Sequence, residues 1–211
     1  GKIPADLAVK NCQWVNVFTG EILPAVIYVK DGFVAHVEIN ELDGPYHAED
    51  VFDGEGRYLI PGFIDAHVHI ESSMMIPRNI AKVIVPHGTT TILHDPHELA
   101  NVYGMDGVKY MHDNAEGLPM RQLLDIPSCV PAVPGCENAG AEFYAPEIRE
   151  LAKLERAVGL AEVMDFFGVM HGDDRMMDII EAAEEAGLYL QGHAPGVSGR
   201  NLSAYLCGGP Y

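Results

Sequence analysis

From Arg57 onward the sequence alternates apolar runs with helical patterns, and this alternation constrains the fold more than any other feature. Apolar runs predict strands over residues 58–69, 89–93, 123–130, 159–164 and 188–192. Helical patterns lie between them, over residues 77–86, 96–115, 146–154 and 175–186. Strands that alternate with helices favour βαβ units, which place parallel strands in one sheet. The prediction for this part of the chain is an α/β fold.

The pattern over residues 175–186 defines a helix most clearly. Its apolar residues fall on one face at a spacing of 3.6 residues; they are Met176, Ile179, Ile180 and Ala183. Gly187 follows where a left-handed residue would end the helix. We therefore expect an amphipathic helix over these residues.

The first 57 residues have a different rhythm, which is that of a small β unit. Two β-rich runs, residues 27–30 and 33–37, flank Asp31-Gly32. Asp-Gly supplies the positive φ angles that a tight hairpin turn requires. A second turn-rich stretch, residues 53–56, predicts the boundary with the α/β part.

The charge balance excludes several classes of partner. Thirteen Lys and Arg residues stand against 31 Asp and Glu residues, for a net charge of −18. A field of this sign repels nucleic-acid phosphates and anionic lipid headgroups, and no apolar run reaches the ~18 residues of a membrane span. The four cysteines match neither a metal knuckle nor a disulfide framework. We expect a cytoplasmic protein with reduced thiols, no nucleic-acid partner and no membrane partner.

His67 and His69 end the first strand of the α/β part. Residues i and i+2 of a strand point the same way, so Asp65, His67 and His69 are predicted to share one face. Two imidazoles at a strand's carboxyl end suit a divalent metal, although two ordinary half-buried histidines fit the pattern equally well. The polar residues that follow, Glu71 among them, favour the functional interpretation.

The second strand ends in HDPHE, residues 94–98. Asp95 is interpreted as the cap of a helix that begins at Pro96 and carries Glu98 in its first turn. This interpretation assigns no role to His94 or His97. Each could line a pocket or have an ordinary structural role.

Two later strands also end in chemically capable side chains. Glu162 lies in an otherwise apolar strand, where an unpaired carboxylate would cost several kcal/mol. It is therefore either a metal ligand or a salt-bridged core acid, and the scarcity of basic residues favours the ligand. Asp165 fits a first-turn position, and His193 ends the fifth strand before a Pro-Gly turn. Four such residues at strand carboxyl ends, namely His67, His69, Glu162 and His193, favour a shared site.

These segments resemble a known family. LIPGFIDAHVH, residues 59–69, looks like the signature of the amidohydrolase superfamily, and IESSMM, residues 70–75, looks like its adenine deaminase branch. HDPHE, AEVMD at residues 161–165 and GHAPG at residues 192–196 resemble that branch in the same order. The resemblance covers essentially the whole chain.

The resemblance implies both a fold and a metal centre. Residues 58–211 would form the first five βα units of an incomplete, metal-dependent (β/α)₈ TIM-like barrel, after a small β-sandwich part over residues 1–57. His67 and His69 would hold one divalent metal and His193 a second. Glu162 would bridge the two, where many relatives use a modified lysine. Manganese, iron or zinc suits such ligands.

The activity that the resemblance implies is hydrolytic deamination of adenine, a purine base, to hypoxanthine and ammonia in purine salvage. Glu162, Glu71 and His97 are the candidate catalytic residues. His94, Glu98 and Ser72 are the candidate contacts to the purine base. We also expect the full-length protein to form a homo-oligomer.

The sequence also departs from the family pattern. The family takes a histidine from the sixth barrel strand and an aspartate from the eighth, and the sequence stops before either. We therefore expect an N-terminal portion that is inactive by itself. Two alternatives remain: an amidohydrolase that opens a cyclic amide, like hydantoinases or dihydroorotases, and a non-catalytic fragment. Glu162 argues against the first, because those relatives usually carry lysine there.

Overall fold

The structure, a computed structural model, describes residues 3–211. The chain divides into two compact units, with the boundary between Pro61 and Gly62. The sequence places the boundary nearby, after residue 57, and the assignment of the two domain types stays a prediction. Over the described range, no helix has the length and apolar character needed to cross a bilayer.

The first unit is built on one five-stranded sheet. Its strands are β1 (Ala5–Val15), β2 (Ile22–Lys30), β3 (Phe33–Glu38), β4 (Ala48–Asp53) and β5 (Tyr58–Leu59). Strand β1 pairs antiparallel with β2 and parallel with β4 and β5, and β3 pairs antiparallel with β2. These residues therefore provide a single β layer.

The hairpin between β2 and β3 confirms the turn predicted at Asp31-Gly32. Asp31 has φ 51° and Gly32 has φ 78°, so both turn residues are in the left-handed region. On this sheet, Cys12, Ala25 and Ile27 form a small buried cluster. The Cys12 thiol is a free thiol, and burial raises its pKa.

The second unit contains a parallel sheet with helices between its strands. The strands are β6 (Phe63–Val68), β7 (Thr89–His94), β8 (Arg121–Pro127), β9 (Ala157–Val163) and β10 (Tyr189–Gly192). The helices are α1 (Pro77–Ile84), α2 (His97–Asn114), α3 (Ala145–Leu151), α4 (Phe166–His171), α5 (Asp174–Glu185) and α6 (Gly199–Cys207). The strands lie in sequential order, and every neighbouring pair is parallel. This order is that of the first five strands of a (β/α)₈ barrel, as the sequence predicted.

The predicted strand over residues 58–69 is divided in the structure. Tyr58–Leu59 pairs with β1 in the first unit, whereas Phe63–Val68 begins the parallel sheet. Pro61 cannot donate to a strand ladder, which explains a break at this point. Gly62 has no space for a side chain, because a Cβ there would lie 2.1 Å from Oγ1 of Thr90.

Helix α5 confirms the amphipathic pattern. Met176, Ile179 and Ile180 are buried in the main core of the second unit, and Gly187 has φ 73°. In the second unit, α4 and α6 are the two helices that the sequence did not predict. Helix α4 has only six residues and α6 only nine, so neither shows a long apolar period.

Candidate metal centre

His67 and His69 come together at the carboxyl end of β6. Their Nε2 atoms lie 3.1 Å apart. The pairing of β6 with β7 is irregular between Asp65 and Val68, so strict alternation does not hold there. Asp65 is exposed and accepts a hydrogen bond from the His67 amide at 3.2 Å. Two imidazoles are therefore directed at one point, and Asp65 supports the local backbone.

A backbone contact fixes the tautomer of His69. Its Nδ1 lies 2.9 Å from the carbonyl oxygen of Asp95. Since a carbonyl can only accept, Nδ1 carries the proton and the Nε2 lone pair remains free. This is the arrangement found in histidines that bind metals, whose second nitrogen is usually held by an oxygen.

Glu162 owes its direction to a β-bulge in β9. Leu160 pairs with Leu190 and Val163 pairs with Gly192, so β9 has two residues where β10 has one. Glu162 has φ 21°, an uncommon value for a residue with a side chain. A bulge changes the direction of the side chains that follow. It turns Glu162 away from the face of Leu160, which is buried beneath the helices.

The Glu162 carboxylate lies at the centre of the site. Oε1 lies 2.9 Å from Nδ1 of His193 and 3.3 Å from Nε2 of His67. Oε2 lies 3.4 Å from Nε2 of His69 and 3.7 Å from Nδ1 of His97. The structure thus brings together His67, His69, Glu162 and His193, the four residues at strand ends that the sequence singled out. Their assignment as metal ligands is a prediction.

Asp95 does not cap α2, and this part of the sequence interpretation was wrong. The N-cap position belongs to Pro96, and no side chain caps the helix. The Asp95 carboxylate is fully buried, and its Oδ2 lies 2.7 Å from Nδ1 of His97. The half-buried His97 imidazole competes for the carboxylate and removes it from the helix end.

Asp95 strongly changes the protonation of His97. Burial opposes a charge on His97, but hydrogen bonds to Asp95 and to the Cys129 side chain outweigh it and raise the pKa of His97 to about 11. Burial raises the pKa of the Cys129 thiol to about 11, although its contact with His97 opposes the rise. At neutral pH the Asp95–His97 pair therefore holds a proton, and the thiol next to it is neutral.

The donor set suits a divalent metal. Within residues 3–211, His69, Asp95, His97 and Glu162 each offer a ligand atom, and these atoms lie within 4.8 Å of one another. Asp95 also has a buried oxygen, Oδ1, with no hydrogen-bond partner. Imidazole nitrogens and carboxylate oxygens together suit zinc, iron and manganese. The residues present therefore fit a divalent ion.

Glu71, Ser72 and Glu98 lie beside His69. Oε2 of Glu98 is 3.8 Å from Nδ1 of His69, and Oε1 of Glu98 is 2.5 Å from the Ser72 hydroxyl. Oε1 of Glu71 accepts a hydrogen bond from the Leu99 amide at 3.3 Å, whereas its Oε2 is buried without a partner. Burial, with the charges of Glu98 and Asp95, raises the pKa of Glu71 to about 7.

His94 is the one predicted site residue that the structure keeps apart. It pairs with Val68 and Leu124 in the sheet and is fully buried on their face. Neither of its ring nitrogens has a hydrogen-bond partner in the described structure. Burial, with the charges of His112 and Arg156, lowers its pKa to about 3. The ring is a neutral part of the interior.

The sequence interpretation also missed Asp125. Its carboxylate is fully buried and accepts a hydrogen bond from Nε2 of Gln191 at 2.6 Å. Burial raises its pKa to about 6, and the hydrogen bond from Gln191 opposes this effect. An aspartate between Leu124 and Ile126 was visible in the sequence as a polar residue in an apolar strand, the same signal that singled out Glu162.

A parallel β/α sheet with a cluster of imidazoles and carboxylates at its carboxyl edge defines a class of metal-dependent hydrolases. The model of the amidohydrolase family matches residues 58–205. The chain belongs to this family.

Curated relatives of the chain carry a more specific name. The chain is 44% identical over 212 residues to adenine deaminase 3 of Rhizobium meliloti. The match covers 100% of this chain and 36% of that protein. It is 46% identical over 209 residues to the adenine deaminase of Desulfatibacillum aliphaticivorans, over 99% of this chain and 36% of that protein. The chain therefore spans about a third of the length of the curated relatives it matches.

Solved structures show the same fold at lower identity. L-hydantoinase from Arthrobacter aurescens has a TM-score of 0.58 and 22% identity, over 98% of this chain and 47% of that chain. N-acyl-D-glutamate deacylase from Bordetella bronchiseptica, complexed with zinc, has a TM-score of 0.64 and 18% identity, over 98% of this chain and 49% of that chain. At such identities the likeness concerns the fold alone.

Proposed function

We propose that this chain carries the metal-binding part of an adenine deaminase, an enzyme that hydrolyses adenine to hypoxanthine and ammonia. The observation that carries the proposal is the convergence of His67, His69 and His193 on the Glu162 carboxylate, within 3.4 Å. It is supported by 44–46% identity to adenine deaminases over almost the whole chain.

The proposed centre holds two divalent ions, of manganese, iron or zinc. His67 and His69 would hold one of them, His193 would hold the other, and Glu162 would contribute to both. Oε1 of Glu162 contacts His67 and His193 and Oε2 contacts His69, so one carboxylate reaches all three imidazoles, which supports a shared carboxylate. Such ions would supply one chemical ability, a lowered pKa of water that makes hydroxide available near neutral pH.

The other proposed roles belong to the chain's own side chains. In the reaction, the oxygen of water bonds to the ring carbon that carries the amino group, and the C–N bond to that group breaks to release ammonia. Both protons of the water must move, one to the neighbouring ring nitrogen and one to the leaving amino nitrogen. His97 and Glu71 are the proposed carriers, because His97 contacts Glu162 and Glu71 has a buried oxygen with no partner in the described chain.

Ser72 and Glu98 are the proposed contacts to the purine base. They are linked to each other, lie beside His69 and are both accessible from solvent. A hydroxyl and a carboxylate can together donate to ring nitrogens and accept from N–H groups, which are the polar edges of adenine. His94 is left out of the proposed contacts because its buried ring lies on the face of Val68 and Leu124.

A cyclic amide is the competing substrate class. The solved hydantoinase shares the fold at 22% identity, and a likeness at that level gives no information about the substrate. Glu162 instead of a lysine in the bridging role favours the deaminase. A binding or folding unit without catalytic activity is the third possibility.

A chimera tests the proposal. Residues 1–211 would be joined to the part of R. meliloti adenine deaminase 3 that lies beyond the match, and the chimera would be supplied with manganese. We expect it to release ammonia and hypoxanthine from adenine, whereas the 211-residue chain alone has no turnover. A Glu162→Gln chimera is expected to lose both bound metal and activity.

The outcomes separate the three possibilities. A folded, metal-loaded chimera that leaves adenine unchanged but opens hydantoin or dihydrouracil would replace the deaminase with the cyclic-amide hydrolase. A folded chimera that holds no metal would leave only the non-catalytic alternative. The predicted cytoplasmic location and homo-oligomeric state of the full-length protein are checked separately, by cell fractionation and light scattering.

A further inference from the structure

The backbone around Glu162 lacks its ordinary sheet partners. Pairing of β9 with β8 ends at Ala161, opposite Pro127, and pairing with β10 skips from Leu160 to Val163. The bulge thus leaves the carbonyl groups around Glu162 without a regular ladder on either side. Buried carbonyl groups need hydrogen-bond donors from elsewhere, since a buried carbonyl without a partner is unfavourable.

Two buried hydroxyl groups supply these donors. The Ser128 hydroxyl lies 2.7 Å from the carbonyl oxygen of Ala161 and 2.8 Å from that of Glu162. The Tyr205 hydroxyl, from helix α6, donates to the carbonyl oxygen of Val163 at 2.7 Å. Ser128 is 1% exposed and Tyr205 is 2% exposed, so water does not compete for these contacts. The bulge is therefore held on both sides of Glu162.

Tyr205 also binds the neighbouring strand. Its oxygen accepts a hydrogen bond from the backbone amide of His193 at 2.9 Å. One hydroxyl thus joins the residue after Glu162 to His193 itself. Gly192 permits this approach, because a Cβ there would lie 3.1 Å from both Cε1 and the hydroxyl oxygen of Tyr205.

We infer that the hydroxyls of Ser128 and Tyr205 form a clamp that positions Glu162 and His193 for metal binding. This inference rests on the proposed metal centre. Neither hydroxyl contacts the carboxylate or the imidazole, so both act through the backbone as positioning residues. The clamp sets the 2.9 Å separation between Oε1 of Glu162 and Nδ1 of His193. Residues that orient metal ligands in this indirect way typically change metal affinity about 10- to 100-fold when they are replaced.

Titration of the 211-residue chain with Co²⁺ tests the clamp. Tyr205→Phe removes the hydroxyl and keeps the ring, and Ser128→Ala removes the second hydroxyl. We expect each variant to bind Co²⁺ about 10- to 100-fold more weakly. The visible absorption of bound Co²⁺ should also change, because it reports the number and geometry of the ligands. A merely structural role would lower stability and leave that spectrum unchanged at equal folded fraction.

Tyr144→Phe is the matched control. The Tyr144 hydroxyl contacts Glu142 at the surface, so its loss should leave the affinity and spectrum of Co²⁺ as in the wild type. If folded Tyr205→Phe and Ser128→Ala both match the wild type, the clamp is refuted. If Tyr205→Phe does not fold, Ser128→Ala decides in the same way.

Hydrogen exchange separates this inference from the proposed function. In the metal-free wild type, the His193 amide should be protected, because it donates to Tyr205. An amide that exchanges at the rate of an open loop overturns the clamp, whatever the variants do. A protected amide in a chain that binds no Co²⁺ supports the contact and instead overturns the proposed metal centre.

Discussion

The Asp95 carboxylate lies 2.7 Å from Nδ1 of His97, while the Asp95 carbonyl oxygen lies 2.9 Å from Nδ1 of His69. One residue therefore holds two imidazoles, one through its side chain and one through its backbone. A side-chain substitution at Asp95 can release His97 and still leave the tautomer of His69 fixed. The two contacts are thus separable by experiment.

Asp95→Asn should lower the pKa of His97 from about 11 toward its ordinary value, because the amide removes the negative charge that stabilises the imidazolium. The measurement is an NMR titration of the His97 ring protons in the metal-free chain. The ring of His36, in the other unit, serves as an internal control. An unchanged His97 titration would show that Asp95 does not govern its proton.

Glu162→Gln should remove most of the stabilisation that manganese gives the chain. Its carboxylate lies within 3.4 Å of three imidazoles, and an amide is a much poorer metal ligand. A metal that binds only the folded state raises stability by ~2.7 kcal/mol at 100 times its dissociation constant. The melting temperature of the wild type, but not of the variant, should rise with added Mn²⁺. Glu181→Gln, at an exposed position on α5, should behave like the wild type.

Relative to the wild type, Asp125→Asn should have a higher free energy of unfolding at pH 7 than it does at pH 4. Burial raises the pKa of folded Asp125 from 3.8 to about 6, so the folded state holds this proton more tightly than the unfolded state does. The stabilisation is present below pH 3.8 and is lost as the pH rises through 6, at a cost of about 3 kcal/mol. Asp125→Asn has no carboxyl at this position, so its stability should not fall in this way. Urea unfolding midpoints of the wild type and the variant at pH 4 and pH 7 measure the difference.

The control for Asp125 is Asp178→Asn, at an exposed position of α5. Its midpoints should follow those of the wild type at both pH values. If the midpoints of Asp125→Asn also run parallel to the wild type, the buried carboxyl does not titrate in this range.

Ile179→Ala should destabilise the second unit by about 2–5 kcal/mol, because Ile179 is fully buried in the main core and the substitution leaves a cavity. Ile64→Ala is the control, since Ile64 is 66% exposed. Denaturant unfolding of both variants provides the comparison. Equal losses would mean that α5 does not anchor the core.

Some of the centre could be predicted because its signals are local. His67 and His193 stand where strands of a parallel sheet end, and Glu162 is a charge within an apolar run. Periodicity alone places such residues at one edge of the sheet. The direction of Glu162, however, depends on a bulge against β10, and no local pattern encodes that pairing.

Other parts depend on residues far apart in sequence. Asp95 precedes a proline and a first-turn glutamate, a pattern that fits a helix cap as well as a buried ion pair. Only its burial beside His97 decides between them, because a carboxylate that loses water needs a charged or donating partner. The contact between Tyr205 and Val163 spans 42 residues and comes from a helix with little apolar period.

The positions of His67 and His193 have a mechanical consequence. His67 lies in β6 and His193 directly follows β10, the first and last strands of the five, yet both reach Oε1 of Glu162. In a flat sheet these two strands would lie about 19 Å apart, at about 4.8 Å per neighbour. The centre can form only while the sheet is curled into an arc. In the proposed centre, metal affinity would therefore depend on the curvature of the sheet, because flattening the arc separates His67 from His193 without breaking any strand.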